Sequence, residues 1–223
     1  MKSMKSQQSG FTLVEIAIVL VIIGLLLGGI LKGQELINSA KVKNLAQDFK
    51  TVPLYIYGYQ DRFKALPGDD PRAVTNLPSN TLPAPAAGDN GNANGVIDGY
   101  WNSTTTTDES FKFWRAVRAS NFASGSTDPA DAAYLPRNVE GGRIGIMNGT
   151  TATTPITALT GTYVFCSAGL LGKFAKQLDV TLDDGNTATG SVRVRDNTGT
   201  GQAAAIATAA VDDATAYTVC LSF

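Results

Sequence analysis

The chain has no histidine among its 223 residues. That absence removes histidine-based acid–base triads and the commonest zinc sites. Cysteine is scarce: Cys166 and Cys220 stand far apart, with no C-x-x-C pair. Charge of one sign is also lacking. A formal net charge of -1 leaves no basic field for a nucleic-acid partner. No G-x-S-x-G, P-loop or metalloprotease motif occurs, and Ser167 follows Cys166 in an ordinary strand-like context. An enzyme is therefore not expected. There is no internal repeat, and no coiled-coil run beyond one N-terminal helix.

What is present is one long apolar run. A polar leader, MKSMKSQQSG, ends at Gly10, and FTLVEIAIVLVIIGLLLGGIL follows over residues 11–31, interrupted by a single carboxylate, Glu15. About 20 helical residues cross the roughly 30 Å hydrocarbon core, so the run is long enough to span a bilayer. Lys2 and Lys5 precede it, which keeps the leader cytoplasmic. A secretory signal would be cut after its apolar region at a small-residue site. Here the chain passes straight into KGQELINSAKVK, so the apolar segment is retained. An acidic residue at the centre of a membrane helix costs roughly 2.5–3.5 kcal/mol, and less one turn from its end. Glu15 should still seek a cation, as ionisable residues inside membrane segments are functional candidates. The alternative is that it merely reaches the headgroup layer. Gly24 and Gly28 form a G-x-x-x-G pair, with Gly29 beside them. They permit close helix approach, or they reflect the general abundance of glycine in membrane helices. Each weakens the helix by about 1 kcal/mol relative to alanine, so a local stretch near Gly24 on assembly is expected.

The string G-F-T-L-V-E at residues 10–15 resembles the prepilin cleavage and methylation signature of type IV pilins and type II secretion pseudopilins. The junction glycine, the following phenylalanine, the glutamate five residues into the mature chain and the otherwise apolar helix all coincide. The resemblance implies cleavage by a prepilin peptidase between Gly10 and Phe11 and N-methylation of Phe11. It implies that Glu15 neutralises the Phe11 amine of a neighbouring subunit. It also implies extraction from the inner membrane, through an assembly platform, into a filament of pilin or pseudopilin subunits.

Beyond the membrane, Val42, Leu45, Phe49, Val52, Ile56, Tyr59 and Phe63 recur at spacings of three and four, an apolar stripe on a continuing helix. Pro53 lies inside it and predicts a kink or break; the unbroken phase of the stripe favours a kink. A second resemblance follows. ALPGDDPRA (65–73), GDNGNANGVIDG (88–99), FKFWRAVRASNF (111–122) and AKQLDVTLDDGNTATGSVRV (175–194) are similar to a pilin-like subgroup. In that subgroup an LPGD turn, a Gly/Asn/Asp loop, a short aromatic helix and an acidic-turn hairpin succeed the stalk.

The Gly/Asn/Asp loop also has a chemical meaning. Asn90, Asn92 and Asn94 alternate, Gly95 follows, and Asp98 comes four residues after Asn94. Alternating oxygen side chains before a glycine resemble a calcium loop, with the Val96 carbonyl and Asp89 as further donors. Asp69 and Asp70 could add charge if the fold brings them near. The loop departs from the pattern: three neutral asparagines hold the first ligand positions, and Trp101 stands where a glutamate is expected. A series of Asn-Gly turns needs no metal.

Strands are expected in GRIGIMNG (142–149), GTYVFCSA (161–168), SVRVRDN (191–197) and AYTVCLSF (216–223), and a short helix in GLLGKFAKQLD (169–179). Asp183-Asp184-Gly185-Asn186 marks a turn. Residues 103–107, 150–160 and 198–215 read as mobile surface loops. In an oxidising compartment Cys166 and Cys220 are expected to form a disulfide closing a loop of about fifty residues, worth on the order of 4 kcal/mol in the chain-entropy model. The alternative is two separate buried thiols.

The expectation is an α+β, pilin-like protein: a long N-terminal helix packed by its outer half on a small antiparallel sheet. Its parts are a leader (1–10), a transmembrane half-helix (11–31), an amphipathic half-helix (32–63) and a globular domain (64–223) that is periplasmic or extracellular. The resemblance implies a protein anchored in the inner membrane by a single pass and then resident in the pilus or pseudopilus. Its function is that of a structural subunit, minor or accessory. The alternative is a non-polymerising, membrane-anchored module that binds a ligand through calcium.

Overall fold

A single helix, α1 (Leu13–Phe63), runs for 51 residues and continues through Pro53 without a break. The computed structural model describes residues 12–150, 154–197 and 201–223. Gly10 and Phe11, with the expected cleavage junction, lie outside the described residues, as do 151–153 and 198–200 within two of the expected loops. The chain divides into two units, Met1–Ala40 and Lys41–Phe223.

In the first unit α1 is apolar enough to cross a membrane, and none of its most apolar stretch is buried. Leu13, Leu20, Leu25 and Leu31 are each more than three-fifths exposed. Apart from the helix's own backbone, nothing lies within 4 Å of where a side-chain carbon would sit at Gly24, Gly28 or Gly29. A helix so exposed and so apolar on every face is suited to lipid or to other helices.

In the second unit the expected stripe is the buried face of α1. Val42, Leu45, Phe49, Val52, Ile56 and Tyr59 are buried, with Ala46 between them. Phe63, at the helix end, is half-buried against Tyr59, their ring centroids 4.6 Å apart. The stripe packs on a four-stranded antiparallel sheet of order β1-β2-β4-β3, formed by β1 (Ile144–Asn148), β2 (Tyr163–Leu171), β3 (Val192–Asp196) and β4 (Ala216–Ser222). This is the α+β pilin-like layout.

Successive strand residues alternate between the two faces. Ile144, Ile146, Tyr163, Phe165, Val192, Val194, Tyr217 and Val219 join α1 in the main core. The rings of Phe49 and Phe165 meet edge-on at 4.9 Å. Met147, Val164, Cys166 and Cys220 point to the second face, where Trp101, Ile156 and Leu159 cover them. Two expectations need correction there. The described parts of the supposed mobile loops are not all surface: Ile156 and Leu159 are buried because the sheet's second face must be covered too, and Val211 is buried in the main core. Ile156 also bridges to Ala203 in parallel, and the Thr157 N–H donates to the Ala203 carbonyl at 2.8 Å.

The short helix is also shifted. Besides α2 (Ala73–Asn76) and the aromatic helix α3 (Glu109–Ala119), the chain forms α4 over Gly172–Leu182, not 169–179. After an irregularity between Ser167 and Leu170, β2 continues so that Leu170 and Leu171 pair with Tyr217 and Ala216 of β4. Those two leucines match a helical face by spacing, but the sheet claims them. Phe174 and Leu178 remain on the buried face of α4.

Candidate functional site

The first turn of α1 contains Glu15, and the sequence around it closes a capping box. The Glu15 carboxylate accepts the Thr12 N–H at 2.8 Å and the Thr12 hydroxyl at 2.7 Å, both through Oε2. The Glu15 N–H in turn donates to the Thr12 hydroxyl at 3.3 Å. Thr-x-x-Glu satisfies two orphan helix donors reciprocally, and a carboxylate in the first turn complements the helix dipole. The T-L-V-E string carries this capping role as well as the assembly or headgroup role expected of Glu15. It leaves Oε1 without a partner among the described residues, so the exposed carboxylate can still receive an external cation.

The LPGD turn and the Gly/Asn/Asp loop are joined by carboxylates. Gly91 sits against the Asp69 backbone so closely that a side-chain carbon there would fall 2.2 Å from it, and its N–H donates to the Asp70 carbonyl at 2.9 Å. Asp69 accepts the N–H groups of Asn94 at 3.2 Å and Gly95 at 2.9 Å. Glu109, first residue of α3, accepts the N–H of Asn92 through Oε1 and that of Asp98 through Oε2, each at 3.0 Å. Burial pushes the Glu109 carboxyl above its ordinary value; the two N–H groups oppose this, and the charges of Asp69 and Asp98 add to it.

Of the residues expected to hold calcium, Asn92, Asn94 and Asp98 are brought together. Asp98 Oδ2 accepts both side-chain amides, from Asn92 at 3.0 Å and Asn94 at 2.7 Å. The carbonyl oxygens of those amides are engaged as well, by the N–H groups of Asn94 and Val96. Asn90 is directed elsewhere, accepting the Val74 N–H at 3.0 Å. Asp89 pairs with the nearly buried Arg115 at 2.7 Å. Asp70 is buried, accepting the Tyr59 hydroxyl at 2.9 Å and the Asn76 amide at 2.7 Å.

Cys166 and Cys220 form a disulfide. They are directly opposite partners on β2 and β4, fully buried on the sheet's second face. The described residues also hold a cluster with metal-binding geometry that the sequence reading missed. Carboxylate oxygens of Asp179, Asp183 and Asp184 lie within 4.8 Å of one another. The signal was the spacing: Asp179 and Asp183 are four apart at the end of a helix, hence on one face.

Residues 5–31 match the family model described as the prokaryotic N-terminal methylation motif, the prepilin signature of type IV pilins and pseudopilins. No curated protein and no solved structure matches the chain. The motif supports a pilin-like or pseudopilin subunit processed by prepilin peptidase and assembled with other such subunits. It belongs to a structural rather than an enzymatic type of protein, and the exposed apolar helix fits a membrane anchor.

Proposed function

We propose that the chain is a minor or accessory subunit of a type IV pilus or a type II secretion pseudopilus. Prepilin peptidase cuts it between Gly10 and Phe11 and methylates Phe11, and Glu15 then meets the Phe11 amine of the adjacent subunit. The inner membrane holds the subunit by a single pass, with the sheet domain in the periplasm, until the assembly platform extracts it. The observation that carries this is the methylation motif at residues 5–31, continuous with an apolar α1 whose first turn presents Glu15. In a simple membrane anchor that carboxylate would serve only as the cap on Thr12. The minor role is supported by the Ser/Thr- and Ala-rich segments around the sheet, which offer a surface at a filament tip. The rival, a calcium-dependent binding module that never polymerises, has less support, because the amide oxygens of Asn90, Asn92 and Asn94 already accept protein N–H groups. Immunoblots of sheared filaments from the native host test the proposal. The chain should appear there at low stoichiometry, and its confinement to the membrane fraction while filaments assemble would contradict it.

A further inference from the structure

We propose that the turn between α4 and β3 binds a calcium ion through the carboxylates of Asp179, Asp183 and Asp184. This inference is independent of filament assembly.

Asp179 is fully buried, and neither of its carboxylate oxygens has a hydrogen-bond partner. A buried carboxylate without a partner is costly, and such a group stays charged only with a compensating charge. The surroundings make matters worse. Asp179 and Asp183 lie at the C-terminal end of α4, where the helix dipole is negative and favours cations. The last turn of α4 carries no basic residue. Lys176, one turn earlier, is committed to Asp213 at 2.7 Å. Among the described residues no ion pair involves Asp179, Asp183 or Asp184. Burial, then the charges of Asp184 and Asp183, push the Asp179 carboxyl up to about 6; the nearby Gly185 N–H, outside hydrogen-bond geometry, offsets this only weakly. Three acids and a helix C-terminus thus converge without a cation.

The two outer carboxylates are already fixed in place. Asp183 accepts the Val192 N–H through Oδ2 at 2.8 Å. Asp184 accepts the Asn186 N–H at 2.8 Å and the Thr189 hydroxyl at 3.0 Å. Both Asp179 oxygens and Asp183 Oδ1 remain uncommitted. An all-oxygen donor set selects a hard cation. Calcium tolerates irregular geometry and a mixture of carboxylate and water oxygens, whereas magnesium demands a near-octahedral shell and gives up water reluctantly.

Equilibrium dialysis with calcium ions at pH 7.5, on the full-length protein in detergent, tests the site. Wild type should bind one more calcium ion than Asp179→Asn, while Asp98→Ala, in the separate asparagine loop, should leave this site intact. Asp184→Asn, an exposed position, should weaken binding at least tenfold. In chelator Asp179→Asn should melt above wild type, since the unpartnered charge is gone, and calcium should no longer raise its melting temperature through this site. If Asp179→Asn does not fold, Asp184→Asn alone decides. Wild-type calcium binding in both variants overturns the proposal. So does a wild type that binds no calcium.

Discussion

Glu15 grips Thr12 twice through a single oxygen, Oε2, at 2.8 Å to the backbone N–H and 2.7 Å to the hydroxyl. The carboxylate therefore has two separable properties, a geometry that caps α1 and a charge that can meet a neighbour's amine. Glutamine preserves the first and removes the second, since Gln also closes a capping box. If charge neutralisation drives assembly, Glu15→Gln and Glu15→Ala should both insert in the membrane and both be missing from sheared filaments. Recovery of Glu15→Gln at wild-type levels would reduce Glu15 to a cap. Thr12→Ala should weaken the helix end by about 1 kcal/mol and still assemble.

Cys166 and Cys220 pair across adjacent strands beneath Trp101, Ile156 and Leu159. Alkylation of the non-reduced folded protein should label neither cysteine. The double Cys166→Ser, Cys220→Ser variant should lose up to about 4 kcal/mol and melt markedly lower. Equal melting with and without the bond would place its value elsewhere than in stability.

Glu109 is the acceptor for two loop N–H groups, from Asn92 and Asp98. Leaving a buried donor unpaired costs about 1–3 kcal/mol. Both of these bonds are only part-buried, so Glu109→Ala should destabilise the domain by roughly 1–3 kcal/mol in all, read from denaturant melts. The same loop offers a direct check on calcium at residues 90–98. If Asp98, Asn92, Asn94 and the Val96 carbonyl hold the ion, Asp98→Ala should abolish the part of the calcium-induced rise in melting temperature that survives in Asp179→Asn. No such part would leave the loop as a set of protein-satisfied turns.

Asp48 is half-buried on α1, and burial pushes its carboxyl from an ordinary 3.8 up to about 6. The folded state therefore holds this proton more tightly than the unfolded chain. Its stabilising contribution is complete below pH 3.8 and is lost as pH rises through about 6. In chelator, Asp48→Asn should be more stable than wild type at pH 7.5 and nearly equal at pH 4. Parallel stability profiles for the two across that range would contradict it.

Sequence reasoning reached furthest where one element repeats its own signal. The stripe from Val42 to Tyr59 showed which face of α1 is buried, because helical period survives any tertiary context. It faltered where short apolar runs fit two periods, so that Leu170 and Leu171 looked helical until β4 paired with them. It missed Ile156, Leu159 and Val211 because alanine- and threonine-rich surroundings disguise isolated buried anchors. The functions of Asp69 and Glu109 as N–H acceptors depend on partners about 11 to 26 residues away, which no local pattern encodes. At the N-terminus the motif was legible in full, while its second meaning, the Thr12–Glu15 cap, lay in the same six letters.

The most direct test of a prepilin-type subunit is the intact mass of the protein purified from its native host. The mature chain should begin at Phe11 and carry one N-methyl group. A chain still beginning at Met1, or one cut after residue 31 with the apolar segment lost, would contradict processing by prepilin peptidase and the filament role built on it.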